Sequence, residues 1–480
     1  MVTQEFQAVV LAAGRGTRLP EVLGKTPKCL LPIGPYPLLW YPLNLLQTHN
    51  FQEAIVIVLE SERSEIQLAL ERTSLKMKLD FVSIPSDSDF GTADSLRYVH
   101  DKIQSDFLVL SCDIVSNVSL FPLINKFRQH DASFTALLFK SGFESDVTLP
   151  GPKTKHKPER DLIGIHPETR RLLFLASASD FEEVMNVNAH LLRKNGKMTI
   201  YSRMTDSHIY VMKKWVLEFL KKNENFSTLK GEFLPYLIKK QMAKSSGHST
   251  TNPVSDTQSE LGKQGDNIFD VSIAEEYSIF NIYFNNTIFL QFIPTSNLEQ
   301  HIFKVTLYND NRTKPLYNGD LLRCYALEAP KETIGVRVNT TLSFFAINQK
   351  LPTIWPLLCG GLELPLVSPN AVVNSTQTKE IAVADNAKLS EKTSLNFSVF
   401  GPNCFINPKN IVNKSLIMAH AIVEEGCNID NCIIGPKAVV KKGTKLKNCL
   451  VGANFIVEEG SQLEAKHLTH ADGYMEIDIQ

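Results

Sequence analysis

The sequence predicts an α/β protein made of a sheet domain over residues 1–242 and a parallel β-helix over residues 366–480. Three observations carry this prediction. Short apolar runs alternate with longer amphipathic runs as far as Met242, a stretch poor in apolar residues follows, and the C-terminal part repeats every 17 residues. Such alternation is typical of strands with covering helices, whereas a fixed period is typical of stacked structural repeats.

The first part contains clear candidates for buried strands and amphipathic helices. Strands are predicted at Ala54–Leu59, Phe107–Leu110 and Phe134–Phe139, because each is a short apolar run. Helices are predicted around Ser64–Leu70 and Lys213–Lys222, where apolar residues recur at helical spacing. We expect both helices to pack against the sheet rather than to carry a site.

A glycine-rich segment near the N-terminus is a candidate phosphate-binding loop. The apolar run Ala8–Ala12 suits a buried strand, and Gly14 and Gly16 follow it. Glycine lets the backbone turn sharply and bring its N–H groups close to an anion. Tight packing alone explains glycine after many α/β strands. The two nearby cations, Arg18 and Lys28, are what favour a phosphate site here.

The chain changes character after the first part. Residues 243–267 are rich in Ser, Thr, Gly and Gln and have almost no large apolar groups, so we predict a disordered linker. Residues 268–365 are aromatic and β-branched without a clear period. They are assigned only as a mixed connecting region.

Four consecutive segments define the C-terminal repeat. β-branched residues dominate its apolar columns and glycine recurs at one corner, which favours triangular coils of three short strands over a helical repeat. A weaker copy is predicted at Ile381–Phe397. The four segments are Ser398–Lys414, Ser415–Asn431, Cys432–Asn448 and Cys449–Ala465. Representative columns are Phe400, Ile417, Ile434 and Val451, then Ile406, Val423, Val440 and Val457, with Gly426, Gly443 and Gly460 at the corner.

Composition excludes several classes of protein. The 50 basic and 51 acidic side chains leave a formal charge of −1, so no global field favours nucleic acid or an anionic membrane. The start MVTQEFQ lacks the pattern of a secretory signal, and no long uncharged apolar run suggests a membrane span. The eight cysteines include no Cys-x-x-Cys pair. We therefore expect a reduced protein of the cytosol.

Three motifs resemble the sugar-nucleotide pyrophosphorylases. Leu11–Arg18 with Pro27-Lys28 is similar to their nucleotide-binding loop, Gly91–Leu96 to their base-contacting segment, and Leu108–Asp113 to their strand that ends in a metal-binding aspartate. The resemblance implies a nucleotidyltransferase-like, Rossmann-type sheet and a left-handed β-helix of hexapeptide repeats. It also implies a nucleotide pocket, with Mg²⁺ held at Asp113. The pocket residues would be Gly14, Gly16, Thr17, Arg18, Lys28, Gly91 and Thr92.

Other motifs of that family are missing. Its second metal-binding aspartate lies in a Trp-x-Asp-x-Gly segment, but none of the three tryptophans here begins one. Phe181–Val184 replaces the sugar-binding Glu-Lys-Pro, and Asp206–Tyr210 stands where the enzymes have Asn-Ala-Gly before a strand. These losses argue against turnover, so we expect no catalytic residue and no required cofactor.

Longer sequence segments resemble those of the pyrophosphorylase-like subunits of the guanine-nucleotide exchange factor for translation initiation factor 2. Among them are Trp40–Leu46, Gly91–Tyr98, Arg171–Phe174 and Pro235–Gln241. The catalytic epsilon subunit of that complex carries its activity in a C-terminal helical domain. Only 15 residues follow Ala465 here, which leaves no room for such a domain. The resemblance implies a regulatory or scaffold subunit that pairs with epsilon, joins an alpha, beta and delta core, and serves initiation factor 2.

Two other interpretations remain open from the sequence. An active sugar-nucleotide pyrophosphorylase, such as a mannose-1-phosphate guanylyltransferase, would use Arg18, Lys28 and Asp113. Alternatively, the loop could bind a nucleotide without transforming it. Asp113 also has a purely structural explanation, because a carboxylate after a parallel strand can cap a neighbouring helix.

Overall fold

The structure of the chain is a computed structural model. The predicted linker 243–267 and residues 268–321 of the predicted connecting region lie outside the residues that it describes, as does Thr17. The division of the chain at residues 242 and 365 therefore stays a prediction. The structure describes residues 5–16, 18–19, 26–152, 160–180, 191, 195–241, 322–361 and 363–469.

A mixed sheet of nine strands forms the first part. Seven of its strands follow one another in the order β10-β9-β11-β6-β1-β4-β5. The other two branch from β11, because β8 pairs with β11 and β12 pairs with β8. Strands β6, β1, β4 and β5 run parallel, whereas β11 is antiparallel to β6. The strands of the sheet are β1 Gln7–Leu11, β4 Glu53–Leu59, β5 Lys78–Ile84, β6 Phe107–Ser111, β8 Phe134–Lys140, β9 Asp161–Ile165, β10 Leu172–Ser177, β11 Thr199–Met212 and β12 Cys324–Glu328. Two small ribbons are β2 Pro32–Ile33 with β3 Tyr36–Pro37, and β7 Ile114–Ser116 with β13 Gly335–Arg337.

Helices cover both faces of this sheet. Alternate strand residues point to opposite sides, so Val9 and Val109 enter one core while Val10 and Leu110 enter the other. The helices are α1 Trp40–Thr48, α2 Arg63–Glu71, α3 Thr92–Tyr98, α4 Phe121–Gln129, α5 Lys214–Lys222, α6 Leu234–Lys240 and α7 Thr341–Leu358. Helices α1, α2 and α4 pack on the second core, whereas α3, α5 and α6 pack on the first. The sheet domain therefore has the doubly covered architecture that the sequence predicts.

The described end of the connecting region is not an independent unit. Strand β12 pairs in parallel with β8, which places Cys324–Glu328 inside the first sheet. The sequence left this segment unassigned, because a strand buried on both faces has no alternating pattern to reveal it. Residues that pair across these two neighbouring strands, such as Phe134 and Cys324, thus lie 190 positions apart in the chain.

Helix α7 joins the sheet domain to the β-helix. Its first turn is capped by Thr340, whose hydroxyl accepts a hydrogen bond from the Ser343 N–H at 3.1 Å. Farther along the helix, Trp355 lies in an aromatic stack with Tyr36 and Trp40. This cluster continues onto the outer side of the β-helix, where it includes Ala382, Val399, Leu416, Ile433 and Leu450.

The C-terminal part is a left-handed parallel β-helix, as predicted. It has three parallel sheets of six strands, and from β17 onward equivalent residues pair 17 positions apart. The weaker copy predicted at Ile381–Phe397 belongs to this stack, and one more coil precedes it. The first sheet contains β14 Val372–Val373, β17 Lys388–Leu389, β20 Phe405–Ile406, β23 Ile422–Val423, β26 Val439–Val440 and β29 Ile456–Val457. The second contains β15 Gln377–Lys379, β18 Ser394–Asn396, β21 Ile411–Asn413, β24 Asn428–Asp430, β27 Lys445–Lys447 and β30 Gln462–Glu464. The third contains β16 Ala382–Val383, β19 Val399–Phe400, β22 Leu416–Ile417, β25 Ile433–Ile434, β28 Leu450–Val451 and β31 His467–Leu468.

The corners of the coils use more than glycine. Gly426, Gly443 and Gly460 have positive φ, as their repeated position predicts. At the two other corners the positive φ values fall on non-glycine residues, such as Asn403 and Asn448. Asparagine tolerates this left-handed region better than most side chains do.

Gly435 is needed for a different reason, and this gives a first prediction. A Cβ on Gly435 would lie 2.7–2.8 Å from backbone atoms of the next coil, at Val451, Gly452 and Ala453. We expect Gly435→Ala to weaken the stacking of these coils and to speed amide exchange in β25 and β28. The control is Gly443→Ala, where a Cβ would meet nothing within 4 Å and only the φ of 68° is strained. Its cost should be about 1 kcal/mol, so equal damage by both variants would contradict the close-approach explanation.

Two further findings concern the whole described chain. All eight cysteines are buried free thiols. Within the described ranges, no helix has both the length and the apolar character needed to cross a membrane.

Candidate functional site

The candidate site lies at the carboxyl ends of β1 and β6, which are neighbours in the sheet. Strand β1 pairs with β6 in parallel, and the Cys112 N–H continues the pairing by donating to the Leu11 oxygen at 3.0 Å. The glycine-rich loop leaves the end of β1, and Asp113 follows the end of β6. In open α/β sheets this edge is where ligands bind.

Asp113 and Lys28, which the sequence singled out separately, form an ion pair. The Lys28 Nζ lies 2.7 Å from the Asp113 Oδ2, and the two side chains are 12% and 2% exposed. A second cation, Arg337, places its Nη2 3.3 Å from the same oxygen. Burial opposes ionisation of Asp113, but Arg337 and Lys28 outweigh it and hold the pKa of this carboxyl well below its ordinary value.

A second group of buried charged residues lies beside this centre. Lys230 places its Nζ 2.9 Å from Asp161 Oδ1, and the other oxygen of Asp161 accepts from the Asp206 N–H at 2.8 Å. Asp206 in turn accepts a hydrogen bond from the Tyr210 hydroxyl. Burial raises the pKa of Asp206, against the opposing effect of Lys230.

His208 lies at an irregularity in β11. The pairing with β8 shifts register between Asp206 and Tyr210, and His208 has a φ of 56°. Burial, reinforced by Arg337, lowers the pKa of its imidazole well below the ordinary value. This non-glycine residue therefore holds a strained conformation at an irregularity of the strand.

The glycine-rich loop is only partly tied down. Gly16 has a φ of 66°, Gly14 faces open space, and Arg18 is exposed. Between them, Arg15 donates to the oxygens of Ser86 and Ser88 at 2.9 and 3.2 Å. Lys28 therefore contacts Asp113 at the end of β6, whereas Arg18 is exposed on the loop.

The Gly91-Thr92 segment is used in internal packing. A Cβ on Gly91 would lie 2.2 Å from the Ser227 oxygen, so glycine is required for this close approach. The Thr92 hydroxyl accepts from the Leu229 N–H at 2.8 Å. Two of the predicted pocket residues therefore hold α3 against the segment that precedes α6.

The residues present do not fit a divalent metal at Asp113. Both its cationic neighbours bind Oδ2, whereas Oδ1 is buried without a hydrogen-bond partner among the described residues. That lone oxygen is the single position open to an ion. Over the described ranges, no three His, Cys, Asp or Glu side chains are grouped as metal ligands. Asp113 is not a helix cap either, since its partners are the two cations.

Sequence reasoning missed several residues of this centre. Arg337, Lys230 and Asp161 were not singled out, because none of them lies in a recognised motif. Only the departure at Asp206–Tyr210 pointed to the second group. Arg337 reaches the centre through the pairing of β13 with β7. That pairing joins residues far apart in the chain and leaves no local pattern in the sequence.

Comparisons with known proteins agree with the two-part fold. Residues 7–146 match the nucleotidyl transferase family model, and residues 377–470 match the GMPPB C-terminal domain model. The gamma subunit of translation initiation factor eIF2B from Caenorhabditis elegans is 33% identical over 49% of this chain and 59% of its own length. The gamma subunit from Dictyostelium discoideum is 24% identical over 85% of this chain and 89% of its own.

A weaker similarity extends to another subunit of the same factor. The eIF2B epsilon subunit from Dictyostelium discoideum is 23% identical over 48% of this chain and 32% of its own length. The matched region spans 59% and 53% of the gamma subunits from Caenorhabditis elegans and Schizosaccharomyces pombe. These similarities relate the chain to the eIF2B gamma subunits.

Proposed function

We propose, from its relation to the eIF2B gamma subunits, that this chain is a non-catalytic subunit of a guanine-nucleotide exchange complex. In this role it pairs with an epsilon-like catalytic subunit, joins an alpha, beta and delta core, and helps the complex release GDP from translation initiation factor 2 in the cytosol. The similarity to both gamma and epsilon subunits supports this pairing.

One structural observation carries the non-catalytic part of the proposal. The aspartate that would hold a metal in a pyrophosphorylase is neutralised by Lys28 and Arg337. Nucleotidyl transfer needs positive charge placed where negative charge develops on the reacting phosphate. Here both cations contact a carboxylate of the protein itself, which supports a role without nucleotidyl transfer.

The role is tested by measuring GDP release from initiation factor 2. We expect the complex purified with this chain to release GDP at least about tenfold faster than the same complex prepared without it. A tenfold ratio of rates corresponds to a difference of about 1.4 kcal/mol in the activation free energy of GDP release. Equal rates with and without the chain would contradict the proposal.

A parallel assay separates the main alternative. The full chain is incubated with GTP or UTP, a sugar 1-phosphate and Mg²⁺, and pyrophosphate is measured. The proposal predicts none above the level of a heat-denatured control. Pyrophosphate formation that is lost in Asp113→Asn would instead establish a sugar-nucleotide pyrophosphorylase.

A further inference from the structure

Arg337 reaches Asp113 from a distant part of the chain, 224 positions later in the sequence. It ends β13, which pairs antiparallel with β7 so that Arg337 lies opposite Ile114. The next residue, Val338, donates its N–H to the Asp113 backbone oxygen at 2.7 Å. Backbone and side chain of this aspartate therefore both hold the incoming segment.

The start of β13 is fixed as firmly as its end. The Ser116 hydroxyl donates to the Ile334 oxygen at 2.7 Å, and the Asn117 side-chain oxygen accepts from the Ile334 N–H at 2.9 Å. The position of the Arg337 guanidinium is thus set by a paired backbone rather than by a flexible side chain alone.

The charges around Asp113 oppose binding of a divalent ion at its open oxygen, Oδ1. A metal at this carboxylate would lie beside the fixed positive charges of Lys28 and Arg337, which would repel it. The nearby carboxylates do not compensate, because Asp161 is paired with Lys230 and Asp206 accepts from Tyr210. The two groups thus set three cations, Lys28, Lys230 and Arg337, against the carboxylates of Asp113 and Asp161.

The same contacts connect the centre to the rest of the fold. A single residue, Asn339, separates Val338 from the Thr340 cap of α7. Farther along α7, Asn348 accepts from the Gly34 N–H at 3.0 Å. Helix α7 then packs against the outer side of the β-helix. Asp113, by holding Arg337, therefore helps to fix the segment that leads from the sheet through α7 to the β-helix.

We infer that Arg337 is a built-in counter-ion that takes the place of a divalent metal at Asp113, and that this pair clasps β13 and the start of α7 to the sheet. The inference goes beyond the proposed function and does not depend on it. It assigns to a residue outside every recognised motif the neutralising role that a metal has in the similar enzymes.

Hydrogen exchange on the full chain tests the clasp. We expect Asp113→Asn and Arg337→Met each to raise amide exchange in β7 and β13 at least about tenfold, with Arg337→Lys closer to wild type. Because both remove the same interaction, the double variant should add little to the worse single variant. The matched control removes the exposed Lys409–Glu425 pair with Lys409→Met, which should leave these amides unchanged.

Manganese titration followed by electron paramagnetic resonance supplies a readout that a merely structural role would not move. We expect wild type and Arg337→Lys to leave the free Mn²⁺ signal equal to that of buffer. Binding by wild type that disappears in Asp113→Asn would overturn the inference. So would unchanged exchange of β7 and β13 in Arg337→Met, and neither result depends on GDP release by a complex.

Discussion

Phe400→Ala should lower the free energy of unfolding of the β-helix by about 3–5 kcal/mol, the usual cost of emptying a buried phenylalanine site. Phe400 is 0% exposed and lies inside the coils between Val383 and Ile417. The stacked coils above and below cannot collapse into the space, because each is fixed by its own ladder of hydrogen bonds. Urea unfolding followed by circular dichroism measures the loss.

The same stack provides the control. Phe405 is 40% exposed on the outer side of the next strand, where the Lys388 ammonium lies 5.3 Å from its ring centroid. Phe405→Ala should cost about 0.5–1 kcal/mol, the range of an exposed cation–π contact. Similar losses for Phe400→Ala and Phe405→Ala would show that the assigned inward and outward faces are wrong.

Lys28→Met should destabilise the sheet domain by about 3 kcal/mol, the lower end of the cost of breaking a buried ion pair. Asp113 is nearly inaccessible to water, and loss of Lys28 leaves it with Arg337 alone. The control is Lys78→Met, which removes an exposed pair with Glu53 at 3.6 Å and should cost less than about 1 kcal/mol. Urea unfolding at pH 7 compares the two.

The pH dependence of this deficit follows from Asp113. Its pKa is lowered in the folded chain, so its ion pairs stabilise the fold above the ordinary carboxyl pKa of about 4. That stabilisation is lost from wild type as the pH falls through the folded value. The gap between wild type and Lys28→Met should therefore narrow below about pH 4, and a gap that widened there would contradict the ion pair.

The β-helix was the most predictable part of the chain from its residues. Each coil pairs only with the coils next to it, so the 17-residue period of the sequence directly predicts which residues pair. Columns such as Ile417 and Ile434 pair as expected. The corners were less predictable, because Asn and Lys can also adopt positive φ and leave no pattern as plain as that of glycine.

The candidate site was only partly predictable. Asp113 follows a parallel strand, so it lies at the carboxyl edge of the sheet, where ligands bind in open α/β sheets. The motif Leu108–Asp113 was enough to predict this position. What Asp113 contacts depends on β13, which a sequence without visible periodicity does not reveal. Gly91 illustrates the same limit, since its need for glycine comes from Ser227, far away in the chain.

The constant pairing distance in the β-helix also restricts how its length can change in evolution. Adding or removing one residue within a coil would exchange the inward and outward faces of the strand that follows. Adding or removing 17 residues would preserve each column, as the matching ladders at Ile422–Val439 and Val439–Ile456 illustrate. Relatives should therefore differ in length here by whole coils, and each added coil would lengthen the apolar column of Ala382, Val399, Leu416, Ile433 and Leu450 by one residue.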